Sequence, residues 1–134
     1  MLKQISIFAE NTKGMFKSIT GILHQGDINI LGSVTNDSAE YGIVRMVVSD
    51  PAKALTLLGE NNFICRETEV LGIELPDRPG SLNNLLGALL DSNINVDYLY
   101  LSFNRESGMP VMIFHTDDIY EVESCMKSKG FTVL

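Results

Sequence analysis

Apolar residues recur along this chain with two alternating periods. Ile5 and Ile7 alternate with Gln4 and Ser6, the period of two expected of a strand with one buried face. From Gly14 the period lengthens, and Met15, Phe16, Ile19, Ile22 and Leu23 fall on one side of a helix. A second strand is expected over residues 28–35, a polar turn over 36–42 and a third strand over 43–49. Asp50-Pro51 offers an N-cap followed by the residue best suited to the first helical position, and so starts a helix over 54–58. Phe63 to Cys65 begins a fourth strand.

The same order then repeats. A shift of 66 residues carries Gly14 onto Gly80, Ile5 and Ile7 onto Leu71 and Ile73, and Asp27-Ile28-Asn29-Ile30 onto Asn93-Ile94-Asn95-Val96. Near the end the shift becomes 68, from Phe63 to Phe131, which marks a small insertion in the second copy. In that copy Leu71, Ile73 and Leu75 form the first strand, and Leu82, Leu85, Leu86, Leu89 and Leu90 lie on one helical face. Strands follow over 95–103 and 111–116. Asp117 or Asp118 is placed to cap a helix striped by Ile119, Val122 and Met126, and Phe131 to Leu134 closes the sheet.

Strand, helix, two strands, helix, strand is the split βαβ order, so the expected class is α+β. It comprises two ferredoxin-like βαββαβ modules, residues 1–69 and 70–134, each an antiparallel four-stranded sheet with both helices on one face. Such a sheet leaves a bare face and unpaired edges, so the modules are expected to pair and the chain to form a homodimer.

Composition narrows the partners. With 134 residues, 45% hydrophobic and 20% charged, the chain has the balance of a folded protein. A net charge of -7 sets it against phosphate backbones, so nucleic-acid binding is not expected. No apolar run is long enough to cross a membrane and the N-terminus lacks a signal peptide's apolar core, so a cytoplasmic protein is expected. Cys65 and Cys125 stand alone, which implies reduced, mostly buried thiols.

The most informative segment is the turn into the first helix, Glu10-Asn11-Thr12-Lys13-Gly14 in one copy and Pro76-Asp77-Arg78-Pro79-Gly80 in the other. Helix-opening N–H groups beyond a glycine can receive a carboxylate, and Asn11 or Asp77 can accept from an ammonium, which together match an α-amino acid. The same residues equally suit a cap and a turn. Asn29 and Asn95, at the expected start of the second strand, can donate and accept at once toward a ligand or toward a neighbouring turn.

The run Asp77-Arg78-Pro79-Gly80-Ser81-Leu82, an apolar helix, then Asn93-Ile94-Asn95-Val96 resembles the signature of ACT domains, once per repeat and more fully in the second copy. The first copy has Lys13 where the second has Pro79. The resemblance implies a regulatory βαββαβ module of the kind common on amino-acid biosynthetic enzymes, where pairs of modules hold an amino-acid effector at their interface. Carried over residue by residue, it makes Asn11 and Asp77 the polar loop contact, Gly14 and Gly80 the close-approach glycine, and Asn29 and Asn95 the amide contact. Met15, Ser81 and Leu82, just past the glycines, complete the candidate set.

No catalytic constellation accompanies the repeat. His24 and His115 fall in different elements with no metal-ligand spacing, and Asp117-Asp118 reads as a helix start. Neither a P-loop nor a GxSxG motif occurs, and Ser92, Ser107 and Ser124 have no histidine nearby in sequence. No metal or cofactor is therefore expected, and an enzyme is not. The leading expectation is a free-standing amino-acid sensor read by a partner enzyme. A ligand-independent subunit docking through its open sheet face, an RNA-binding module and a small ferredoxin-like enzyme are the competing readings, the last two lacking a basic aromatic strand and a polar strand cluster respectively.

Overall fold

The structure, a computed structural model, describes residues 1–37 and 42–134. The elements in chain order are β1 Leu2–Ala9, α1 Met15–Gln25, β2 Ile30–Asp37, β3 Gly42–Val48, α2 Pro51–Glu60, β4 Ile64–Glu74, α3 Ser81–Asp91, β5 Tyr98–Phe103, β6 Pro110–His115, α4 Ile119–Ser128 and β7 Thr132–Val133. This is an α+β fold in which β1 with β3, β2 with β3, β4 with β6, β4 with β7 and β5 with β6 all pair antiparallel.

Two compact units divide the chain: Lys3–Thr68, and Glu69–Leu134 together with Met1–Leu2. In the first the strand order is β2-β3-β1-β4, and in the second β5-β6-β4 with β7 on the other side of β4. Strand β4 passes from one unit to the other. The sequence reading had two separate strands here, but residues 66–70 contain neither glycine nor proline to break the extended backbone, so one strand of 11 residues results.

Each unit has its own core. Ile5 and Ile7 of β1 meet Ile19 and Leu23 of α1, Val44 and Met46 of β3, and Ala54 and Leu58 of α2. The repeat places Leu71 and Ile73 against Leu85, Leu89, Met112, Phe114, Val122 and Met126 in the second unit. The expected helical stripes run wider than the buried ones: Phe16 and Leu90 are 44% and 77% exposed. Both lie at the edge of their apolar arcs, beyond the reach of the sheet.

Two corrections follow from the strands. Gln4 and Ser6 are buried rather than solvated, and the Gln4 amide donates to Ser6 Oγ at 3.2 Å, which keeps both polar side chains bonded. On the side of the sheet away from the helices Val47, Tyr100, Ser102, Val111 and Ile113 are buried as well, so the expected bare sheet face does not lie open at these positions.

The second strand of each repeat begins later than its pattern suggests. Asp27 and Asn93 adopt left-handed backbone at φ 56 and φ 58, and the next N–H turns back onto the helix, Ile28 N–H to the Leu23 carbonyl and Ile94 N–H to the Leu89 carbonyl, both at 2.9 Å. This Schellman closure uses residues that alternate like a strand, so Asn29 and Asn95 precede β2 and β5 instead of opening them. The expected turn over 36–42 shrinks from both sides, since Asn36 and Asp37 lie in β2 and Gly42 in β3, and the remainder lies outside the described residues. Asp50 does cap α2, accepting from Lys53 N–H at 3.1 Å, whereas Asp118 takes a left-handed backbone and makes no side-chain cap on α4.

Candidate functional site

Both repeats pass from strand to helix through a glycine with left-handed backbone, Gly14 at φ 86 and Gly80 at φ 93. A Cβ built at either would meet nothing within 4 Å, so the backbone conformation, not crowding, calls for glycine. These glycines are the N-caps of α1 and α3, and neither helix has a side-chain cap. In the second repeat Ser81 N–H bonds the Arg78 carbonyl and Asn84 N–H the Gly80 carbonyl, at 3.3 and 2.8 Å. That leaves the N–H groups of Leu82 and Asn83 without an acceptor among the described residues, at the positive end of the helix.

A cavity of about 530 Å³ opens at this helix end, lined by Arg78, Gly80, Ser81, Asn84, Phe131 and Thr132 among others. Ser81 and Asn84 stand three apart on α3 and therefore share one face. Phe131 comes from the turn between α4 and β7, which β7 holds against β4 by pairing Thr132 with Glu74. The polar groups on its wall are the Glu74 carboxylate and, bonded to no other side chain among the described residues, the Arg78 guanidinium, the Ser81 and Thr132 hydroxyls and the Asn84 amide. The Glu74 carboxylate is engaged elsewhere, accepting from the Ser107 hydroxyl.

The other residues singled out from the sequence are dispersed. Asp77 is exposed on the turn and does not line this cavity. Leu82 faces an apolar cleft with Leu86, Leu99 and Phe114. Asn95 lines a second cavity of about 430 Å³ at the opposite end of α3, walled by Asn93, Asp117, Asp118 and Glu121. A helix of 11 residues rises about 16 Å. One small molecule therefore cannot touch Ser81 and Asn95 of the same module.

In the first repeat Met15 is half-buried against the core, and Asn11 is exposed beside Gly42. The Asn29 backbone is committed, its N–H donating to Ser49 Oγ and its carbonyl accepting from Ser49 N–H, each at 2.9 Å, while its side chain is exposed. Sequence reasoning missed Arg78, Asn84 and Phe131. The spacing of Ser81 and Asn84 on a helix face was available as a signal; nothing local announces that Phe131 joins them.

The remaining polar clusters bind side chains to one another. His115 Nδ1 lies 2.7 Å from Asp97 Oδ2, and its ring stacks on Tyr98 with centroids 5.5 Å apart. A hydrogen bond to the Glu69 carboxylate, 2.6 Å away, together with that carboxylate's charge, pushes the Tyr120 phenol up. Burial pushes the Cys65 thiol up, which favours the unreactive protonated form. Among the described residues no group of three His, Cys, Asp or Glu side chains is placed to hold a metal ion, and no helix is long and apolar enough to cross a membrane.

Comparison with known proteins places this geometry. The family model described as an ACT domain pair matches residues 1–130. Protein BT0572 from Bacteroides thetaiotaomicron is 32% identical, superposes with a TM-score of 0.90, and the match covers 99% of this chain and 91% of that one. The ligand-free regulatory subunit of aspartate kinase from Thermus thermophilus shares the fold at 12% identity, with a TM-score of 0.64 over 93% of this chain and 87% of its own. Aspartate kinase from Synechocystis does so at 16% identity and a TM-score of 0.59, over 94% of this chain and 24% of its own. No curated protein matches.

Proposed function

Because the chain belongs to the ACT domain pair family, we propose that it is a free-standing regulatory protein that binds an α-amino acid and transmits the occupancy to a partner enzyme of amino-acid metabolism, itself catalysing nothing. The observation that carries this reading is the cavity at the start of α3. There Arg78, Ser81 and Asn84 border a space large enough for one small metabolite, and two unpaired N–H groups lie at the same positive helix end. The ligand carboxylate accepts from the N–H groups of Leu82 and Asn83 and from Arg78. Ser81 and Asn84 fix its orientation, and Phe131 faces the ligand's side chain.

Several observations support regulation over catalysis. The fold is shared with a protein described as a regulatory subunit of aspartate kinase, and His115 and Tyr120 are held by the carboxylates of Asp97 and Glu69. Docking through a bare sheet face is less favoured, since Val47, Tyr100, Ser102, Val111 and Ile113 on that face are buried. The 16 Å separation along α3 favours a dimer, because Asn95 can join the ligand at Ser81 only from a second copy whose module runs in the opposite direction.

A thermal-shift screen of the purified chain against the twenty amino acids tests the proposal. A ligand present at a hundred times its Kd stabilises the native state by about 2.7 kcal/mol, a readily measured rise in melting temperature. One amino acid, or a chemically related few, is expected to raise it. A flat screen at millimolar concentration would overturn the amino-acid reading.

A further inference from the structure

An α-amino acid carries an ammonium on the carbon next to its carboxylate, and a site that binds one needs an acceptor for it. Among the described residues that line the cavity at the start of α3, Glu74 alone supplies a carboxylate. It ends β4, and its pairing with Thr132 of β7 sets it beside Phe131 and Thr132 of the same wall. The 66-residue shift puts Phe8 and Thr12 of the first repeat at the places of Glu74 and Arg78, so the second repeat alone brings an anion and a cation to this turn. In the free chain the Glu74 carboxylate accepts from the hydroxyl of Ser107, in the loop 104–109 that joins β5 to β6. That loop is closed by its own bonds. Asn104 N–H donates to the Met109 carbonyl at 2.9 Å, Asn104 Oδ1 accepts from Glu106 N–H at 2.9 Å, and Gly108, at φ 73, donates its N–H to the Asn104 carbonyl at 2.8 Å. Ser107 Oγ also accepts from Met109 N–H at 3.2 Å, so one hydroxyl joins the loop's internal bonding to β4.

From this arrangement we infer that Glu74 is the residue that recognises the ligand's ammonium, and that a bound amino acid takes the carboxylate from Ser107 and so loosens the loop between β5 and β6. The hydroxyl and the ammonium both donate to the carboxylate, but the ammonium adds the attraction of opposite charges, so the exchange favours the ligand. Ser107 is exposed, and water takes up its released hydroxyl. The ligand's own carboxylate lies at the helix end and Arg78, where the first repeat has no matching cation. The cavity therefore selects α-amino acids over the corresponding 2-oxo, 2-hydroxy and unsubstituted acids, which fill the carboxylate position and leave Ser107 on Glu74. Occupancy becomes a change in a surface loop, which is the form in which a partner enzyme can read it.

This rests on the amino-acid reading of the cavity and adds to it the group that reads the amine and the segment that responds. The test is calorimetric titration of the full chain with the twenty amino acids and, for each that binds, with the same acid bearing hydrogen in place of its amino group. Native chain, Glu74→Gln, Ser107→Ala and Glu60→Gln are compared, the last an equal change of charge at an exposed residue of α2. Glu74→Gln is expected to bind the amino acid between about tenfold and about a hundredfold more weakly and to bind the amine-free acid as the native chain does, so that its preference for the amine disappears. Ser107→Ala, with no hydroxyl to displace, is expected to bind the amino acid about two- to tenfold more tightly, and Glu60→Gln to match the native chain. Hydrogen exchange at the Glu106, Ser107 and Met109 amides is expected to quicken when the native chain is saturated, and to be fast in Ser107→Ala without ligand. Binding by Glu74→Gln with the native affinity and amine preference, or saturation that leaves those three amides unchanged, would overturn the inference while the sensor stands. An amino acid that binds neither the native chain nor any variant would remove the sensor reading and this inference with it.

Discussion

Replacing Phe114 by alanine is expected to destabilise the protein by about 3–5 kcal/mol, the largest effect of any single truncation in the second repeat. Phe114 is 1% exposed in β6, paired with Leu71 of β4 on one side and Leu99 of β5 on the other. Its ring packs in the cluster formed by Leu85 and Leu89 of α3 and Val122 and Met126 of α4. Phe114 therefore shares its cluster with both helices of the unit, so its truncation leaves a void between the sheet and the helices. Domains of this size are stable by only about 5–15 kcal/mol, so such a loss is a large share of the total. Denaturant unfolding with hydrogen exchange measures it: the midpoint falls, and protection is lost first from β5 and β6. A loss under about 1 kcal/mol, the size expected for truncating the half-exposed Phe16, would show that the cluster is not the core it looks to be.

The second large effect concerns the ligand. Arg78→Gln is expected to weaken binding by between about tenfold and about a hundredfold, because a hydrogen bond to a charged group contributes about 1.5–3 kcal/mol. Glutamine keeps much of the length and can still donate, so the loss isolates the positive charge facing the carboxylate. Arg78 lines the cavity and has no ion-pair partner among the described residues, so its removal should leave the melting temperature of the free protein nearly unchanged. Arg66→Gln, an exposed arginine of β4 away from the cavity's lining, is the control and should bind like the native chain. Calorimetric titration with the amino acid found in the screen compares the three. Equal affinities for all of them would remove Arg78 from the site.

Much of the fold is legible in the sequence because burial and period agree there. Ile5, Ile7, Leu71 and Ile73 alternate as strands and are buried, and the repeat supplies each element twice. The reading slips where one pattern serves two structures. Asp27-Ile28 and Asn93-Ile94 look like strand starts, yet their left-handed residue and returning N–H close a helix. Gln4 and Ser6 look like a solvated face because polar side chains carry no mark of a partner that allows their burial. The candidate site was legible only in part. The glycine turn and the helix start are local and could be found, whereas Phe131 joins Arg78 and Asn84 through the pairing of β7 with β4, which no spacing in the sequence displays. The same holds for Asn95: its repeat position suggests a ligand contact, but only the length of α3 reveals that it belongs to a different cavity from Ser81.

The most direct measurement is an amide-resolved NMR titration of the full native chain with pooled amino acids, followed by the single active component. The account predicts that one amino acid shifts the backbone amides of Gly80, Ser81, Leu82 and Asn83 at the start of α3, saturably and more strongly than their counterparts Gly14 to Lys17. If no amino acid moves those four amides, or if binding is saturable but moves amides elsewhere in the chain, the ligand cavity proposed here is not where this protein senses anything.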